Sequence, residues 1–275
     1  MELIASGALS MLAAEHISPI AYKLPIGDSL IPLNELIGKT LKLSSLGVIN
    51  CINCGRKTNK SFSQGYCYPC MKKLARCDVC IVSPEKCHYH EGTCREPEWG
   101  EQNCMRRHYV YLANSSGVKV GITRGENIPK RWIDQGAVQA LPIFAVATRY
   151  QSGLLETILK QHVADKTNWR TMLKGGNPLL DLYIKRDQLL AECGDAILEL
   201  QERFGLQDIQ PCGDAECFEF DFPVLEYPVK IVSHNLDKNP HVEGQLLGIK
   251  GQYLIFDTGV INIRKYTGYQ AELYY

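Results

Sequence analysis

The sequence predicts an α+β protein built from a small α/β domain, a cysteine-rich zinc-ribbon module and a β-rich part contributed by both ends of the chain. Three observations carry that expectation. Nine of the twelve cysteines fall between residues 51 and 104. Short β-prone runs occupy residues 20–50 and recur in the last fifty residues. Between them, residues 109–163 follow the order strand, strand, helix, strand, helix. These boundaries divide the chain into 1–50 (β-rich), 51–106 (cysteine-rich), 107–185 (α/β), 186–222 (an amphipathic helix and acidic connector) and 223–275 (β-rich, with strands that could complete a small barrel with the N-terminal ones).

Taken in order, Leu3 to Ala14 is mostly apolar, yet Glu2 stands where a signal peptide carries Lys or Arg. No apolar run approaches the ~18 residues of a membrane span, and a cytoplasmic, non-membrane protein is expected. Leu41 and Leu43 alternate with Thr40 and Lys42, and Gly47 is expected to turn the chain into Val48-Ile49 and the first cysteine pair. Residues 51–104 have little periodicity and too few apolar residues to fold without metal. Tyr109–Leu112 and Val118–Ile122 flank Asn114-Ser115-Ser116-Gly117, a hairpin signal. A helix near Pro129 carries Arg131 and Trp132, and Leu141 to Ala147 reads as a buried strand. Ser152 is the expected N-cap of a helix bearing Leu155, Ile158, Leu159, His162 and Val163. Leu189 to Phe204 reads as one amphipathic helix ending at Gly205, with Cys193 on its apolar stripe. Leu246–Ile249, Tyr253–Phe256 and Val260–Ile263 are three strands joined by Lys250-Gly251 and Thr258-Gly259 turns.

Formal net charge is zero, with 30 Lys and Arg against 30 Asp and Glu, so no global field holds a polyanion. The charge is uneven along the chain. Arg56, Lys57, Lys60, Lys72, Lys73 and Arg76 face no acid between Cys51 and Arg76, whereas residues 187–221 are strongly acidic. Each block is a binding surface or simply a solvated face.

Cys51/Cys54 and Cys67/Cys70 are two C-x-x-C turns, each able to aim two thiolates at one tetrahedral point. A structural zinc ion is expected there. A disulfide framework would need a secreted protein. A second zinc is expected at Cys77, Cys80, Cys94 and Cys104, with Cys87 the main rival and His88, His90 and His108 further donors. An iron-sulfur cluster takes the same four thiolates.

Tyr109-Val110-Tyr111 and Lys119-Val120-Gly121-Ile122-Thr123 resemble the two opening motifs of the GIY-YIG nuclease superfamily, over about residues 107–175. Arg131, ten residues beyond Gly121, matches the superfamily's helix arginine. Glu156 and His162 resemble its E-x-x-L-x-x-x-H helix with a stretched spacing. Tyr109 replaces the glycine of the first motif and Lys119 the tyrosine of the second. The whole chain also resembles an uncharacterised bacterial family, domain of unknown function 2797, in the phrases KVGITR, RWIDQGA and DKTNWR. That label implies no activity.

The nuclease resemblance implies metal-dependent phosphodiester hydrolysis on DNA or RNA. Tyr111 would help activate the nucleophile, Arg131 would bind the scissile phosphate and Glu156 would hold magnesium or manganese. Gly121 would let substrate approach the backbone, with Tyr109, Lys119, His162 and Asn168 as further substrate contacts. Arg56, Lys57, Lys60, Lys72 and Lys73 would supply phosphate contacts from the zinc module. The alternative is a non-enzymatic nucleic-acid or protein adaptor, since Lys119 equally suits a domain kept for binding alone. A thiol redox or metal-sensing protein is the third class.

Overall fold

The computed structural model describes residues 1–163 and 166–275; Asp165, which opens DKTNWR, lies outside them. The chain begins with β1 (Leu3–Ala8), β2 (Ala13–Glu15), β3 (Ala21–Ile26), β4 (Ser29–Pro32) and the long β5 (Thr40–Asn50). β6 (Lys57–Thr58), α1 (Tyr68–Lys73), four short 3-10 turns and α2 (Pro97–Asn103) make up the cysteine-rich module. Next come β7 (His108–Asn114), β8 (Val118–Arg124), α3 (Lys130–Asp134), β9 (Gln139–Val146), α4 (Arg149–Leu159), α5 (Trp169–Leu173), α6 (Leu182–Glu192) and α7 (Gly194–Phe204). β10 (Ile209–Pro211), β11 (Phe218–Glu219), β12 (His241–Lys250), β13 (Tyr253–Phe256), β14 (Gly259–Asn262) and β15 (Tyr269–Tyr274) complete it. The fold is mixed α+β with antiparallel sheets, and none of the helices among the described residues is long and apolar enough to cross a membrane.

The largest sheet has the order β1-β15-β5-β12-β13-β14, with β6 paired to β5. β5 therefore sits between β15 and β12, so the two ends of the chain share one sheet. Leu41 and Leu43 face inward and are fully buried, which is the alternation their sequence shows. Gly47 does not turn the chain. It sits within β5 at φ +68°, where the register against β15 shifts between Tyr269 and Ala271. The glycine is the left-handed residue of a bulge, which bends a strand without ending it.

The second sheet has the order β10-β9-β7-β8, with β11 on β9. β7 and β8 form the hairpin, paired from His108↔Arg124 to Asn114↔Val118. Both faces of this sheet are covered. Tyr111 and Ala113 pack with Trp132 and Phe220 into the core that also contains β3, β5 and β12. Val110 and Leu112 on the other face join Leu155 and Leu159 of α4, Leu189 of α6 and Ile197 of α7. Cover on both faces explains why β9 is buried at every residue and reads as a continuous apolar run. A third sheet, β2-β3-β4, packs its Tyr22, Leu24 and Ile26 into the first core.

Two helix expectations are corrected. α4 starts one turn earlier than Ser152: Thr148 is the N-cap, and its hydroxyl and the Gln151 side chain exchange hydrogen bonds with each other's backbone N–H in a capping box. Ser152 is inside the helix, donating to the Arg149 carbonyl at 2.6 Å. α4 ends at Leu159, so His162 and Val163 lie beyond it. Residues 189–204 form parts of two helices, broken at Cys193, whose φ −107° and ψ 7° are not helical. The apolar periodicity runs across that break because both helices bury the same side against the sheet.

Candidate functional site

The first cysteine quartet closes as its spacing predicts. Cys51 leaves the end of β5, Cys67 precedes α1, and one sulfur from each of Cys51, Cys54, Cys67 and Cys70 lies within 4.8 Å of the others. The turns are held by Gly55 N–H donating to the Cys51 carbonyl and Met71 N–H to the Cys67 carbonyl, at 2.8 and 2.9 Å. Burial raises the proton affinity of Cys51. Backbone N–H groups of Cys67, Cys54 and Asn53 outweigh it and bring the thiol down to about 6. A quartet of thiols, one of them poised to ionise at neutral pH, has the donor chemistry of a closed structural zinc site.

The second predicted quartet does not assemble. Among the described residues, Cys77, Cys94 and Cys104 join no group of three metal-type donors within 4.8 Å, while Cys80 lies that close to Asp78 and His88. Between Cys77 and Cys80, Asp78 caps a new 3-10 turn, accepting from Val79 N–H at 2.6 Å. The exposed Arg56, Lys57, Lys60, Lys72 and Lys73 lie on this module's surface, outside the main cleft.

That cleft, of about 840 Å3, opens between the α/β unit and the cysteine-rich module. Tyr111 of β7, Lys119 and Gly121 of β8, Arg131 of α3 and Glu156 of α4 all line it. The hairpin brings Tyr111 opposite Gly121, and a Cβ built on Gly121 would lie 2.7 Å from the Tyr111 hydroxyl. The close approach at this glycine is therefore to the tyrosine ring. Tyr111 is fully buried and donates to Gln135 Oε1 at 3.2 Å; Lys119 Nζ donates to the same oxygen at 2.7 Å. Burial pushes the Tyr111 phenol up, Arg131 and Gln135 oppose this, and the Glu156 charge adds to it. Tyrosine, arginine and carboxylate are thus within electrostatic reach of one another.

The cleft is cationic although the chain is neutral. Arg76, Lys119, Arg124, Arg131, Arg149, Lys160, Lys166 and Arg264 line it against the carboxylates of Asp78, Glu85 and Glu156, counting described residues. Arg149 Nη2 donates to the Ile81 carbonyl at 2.7 Å, and burial lowers its proton affinity. Arg124 contacts Asn103 Oδ1 at 2.5 Å and Glu126 at 3.1 Å, and Arg264 Nε donates to Gln64 Oε1 at 2.5 Å. Gln135, Arg149 and Arg264 were not singled out by sequence. Gln135 stands in RWIDQGA, four residues after Arg131 on the same helical side, whereas Arg264 arrives from a distant segment with no local signal.

Three other predicted substrate contacts fall outside the cleft. Tyr109 lines a separate shallow groove with Ile128, Pro142 and Phe218, its ring against Gly125. His162 is exposed and its Nδ1 meets Glu192 at 3.0 Å. Asn168 caps α5, its Oδ1 accepting from Arg170 and Thr171 N–H at 3.2 Å, which fixes the side chain at the helix start outside the cleft lining. Each of these residues is used by its local fold: a sheet-face ring, a surface ion pair and a helix cap.

Fold and site together define a mixed α+β protein with a four-cysteine cluster beside a cationic cleft. A family model described as protein of unknown function (DUF2797) matches residues 38–271, and the chain belongs to that family. No curated protein and no solved structure matches it.

Proposed function

We propose that the protein hydrolyses phosphodiester bonds of nucleic acid in this cleft, in the manner of a GIY-YIG-like domain, with the zinc module as structural support. The observation that carries the reading is the shared cleft of Tyr111, Arg131 and Glu156 within a cationic lining. Arg131, in the cleft lining, would bind an esterified phosphate and offset charge developing on it. Glu156 supplies a hard oxygen donor in the cleft, and one carboxylate with water and phosphate oxygens is ordinary coordination for magnesium or manganese. When bound, such an ion supplies Lewis-acid polarisation of the phosphate. Tyr111, whose burial keeps its proton and whose hydroxyl donates to Gln135, would help activate the attacking water.

The test is a cleavage assay on DNA and RNA substrates of several forms with magnesium or manganese. Glu156→Ala and Arg131→Ala are expected to lower turnover by about 100-fold or more. Turnover indifferent to both changes would refute the assignment. A second reading, binding without hydrolysis, is favoured by the complete burial of Tyr111. It predicts measurable affinity that Arg131→Ala weakens, with no cleavage of any substrate.

A further inference from the structure

The cysteine-rich module has more chain than its first quartet can staple. No residue from 50 to 109 belongs to any of the three hydrophobic cores, and Val79 and Val82 are exposed. The quartet ends at Cys70, yet residues 75–103 keep a defined path through four 3-10 turns and α2. A segment with so little apolar burial is of the kind that a bound metal stabilises. Among the described residues, one further group of metal-type donors lies there: Asp78, Cys80 and His88 each place a ligand atom within 4.8 Å of the other two. Asp78 caps the turn Val79–Ile81 and is buried, Cys80 lies inside that turn, and His88 precedes the turn Tyr89–Glu91.

Hydrogen bonds fix which imidazole nitrogen faces the other donors. Thr93 Oγ1 donates to the His88 carbonyl at 3.1 Å and lies 2.7 Å from His88 Nδ1. With its proton on the carbonyl, the hydroxyl accepts at Nδ1, which therefore carries the ring N–H. Nε2 is left with its lone pair, and 3.4 Å away is Asp78 Oδ2, also electron-rich. Two such atoms face each other only with positive charge between them. A protonated imidazole would close on the carboxylate to about 2.7–2.9 Å. Zinc, with bonds of about 2.0–2.2 Å to nitrogen and oxygen at tetrahedral angles, holds its ligands about 3.3–3.5 Å apart, which is the spacing found. The Thr93 contact is the outer support that a ligating imidazole ordinarily has. Asp78 is also braced: Oδ1 accepts from Val79 N–H at 2.6 Å and Oδ2 meets Arg95 Nε at 2.7 Å. An oxygen with two lone pairs can accept from Arg95 and still ligate a metal.

We infer that Asp78, Cys80 and His88 bind a second zinc ion on the module wall of the cleft, with water in the fourth position. One thiolate, one imidazole and one carboxylate are all zinc donors, whereas an iron-sulfur cluster would take four thiolates. The site's consequence lies in what it anchors. Its ligands bracket residues 81–87, and Asp78 and residues 81–85 line the cleft. Gly153 of α4 packs so tightly on Pro84 and Glu85 that an added Cβ would meet Glu85 N at 2.5 Å, and Arg149 holds the Ile81 carbonyl. Zinc closing that loop would hold it against the helix that carries Arg149 and Glu156. Arg95, which also donates to the Met71 and Leu74 carbonyls at 3.1 and 3.3 Å, ties the same carboxylate to the end of α1 and so to the first quartet.

The decisive experiment combines metal analysis with zinc X-ray absorption on the full chain purified with zinc. About two zinc ions per chain are expected, falling to about one in His88→Gln and Asp78→Asn and staying at about two in Cys77→Ser and Cys94→Ser. In the unaltered protein the absorption spectrum is expected to show imidazole, with sulfur and lighter ligand atoms in a ratio of about 5 to 3 averaged over both ions. This second measurement needs no substitution, so a variant that fails to fold does not blunt the test. One zinc per chain, bound iron, a zinc environment of sulfur alone, retention of both ions in His88→Gln, or loss of one in Cys94→Ser would each overturn the assignment. None of these outcomes depends on whether the cleft hydrolyses anything.

Discussion

Gly121 shows how a residue-scale contact decides what a motif does. Its missing Cβ leaves room for the Tyr111 hydroxyl, which an alanine methyl would meet at 2.7 Å, with the ring carbon Cζ at 2.8 Å. The ring is fully buried, so it can yield only by displacing its neighbours. Gly121→Ala is expected to cost about 1–3 kcal/mol in urea unfolding and to impair the cleft, because the Tyr111–Gln135 hydrogen bond shifts with the ring. His108 is a second buried residue with a measurable signature. Burial lowers its imidazole to about 4, with Arg149, Arg124 and Arg106 adding to the effect and its hydrogen bond to the Arg106 carbonyl opposing it. Above the ordinary imidazole value near 6.5 it is neutral in both states and its penalty is absent. As pH falls from about 6.5 to 4 the unfolded chain takes up a proton that the folded chain refuses, so stability falls with pH. The loss is on the order of 2–3 kcal/mol, and His108→Gln is expected to flatten that part of a stability-versus-pH curve relative to the unaltered chain. Sequence grouped His108 with the metal donors. Its burial, which decides its behaviour, depends on packing around the start of β7 that no local pattern announces.

At the scale of elements, what was legible were the features whose cause is local. The β7–β8 hairpin follows from two β-prone runs around a polar, glycine-ended turn, and the Cys51–Cys70 cluster from the reach of paired C-x-x-C turns. The start of α4 is local too: Thr148 and Gln151 form a T-x-x-Q capping box, a signature that stands in the sequence just ahead of Ser152. Where a distant partner sets the outcome, as it does for Arg264 in the cleft, no local pattern announces it. α4 offers a paired test of these two kinds of constraint. Thr148→Ala removes one half of the capping box and is expected to cost about 1 kcal/mol in stability. Gly153→Ala would gain helix propensity of about 1 kcal/mol in isolation. Here its methyl would strike Pro84 and the Glu85 backbone, so the net effect is expected to be destabilising, with the module displaced from the helix. Chemical unfolding of both variants checks the signs; a stabilised Gly153→Ala protein would show that the contact with residues 84–85 is dispensable.

For the molecule as a whole, the informative quantity is where charge sits within a neutral total. Opposite formal charges cancel over the chain, so the nucleic-acid affinity proposed for it has to come from a confined region, and two regions compete for that role. The exposed lysines of the cysteine-rich module were the obvious candidates in sequence, because no acid interrupts them there. The cleft gathers its cations from β8, α3, α4 and the segment after β14, which explains why it could not be read from any one stretch. Several of these cations are already engaged, Arg124 with Glu126 and Arg264 with Gln64 among them, and three carboxylates share the lining. The number of phosphates neutralised should therefore be small. A single strand bound in the cleft is expected to give a slope of log affinity against log salt between about −2 and −4, at roughly −0.7 per phosphate. Arg131→Ala should make that slope shallower by about 1, whereas Lys72→Ala with Lys73→Ala should leave it unchanged. Binding titrations across a range of salt concentrations separate the two regions: a slope that responds to the lysine pair and ignores Arg131 would move the phosphate contacts from the cleft to the cysteine-rich module, and would leave Tyr111 and Glu156 without a substrate to act on.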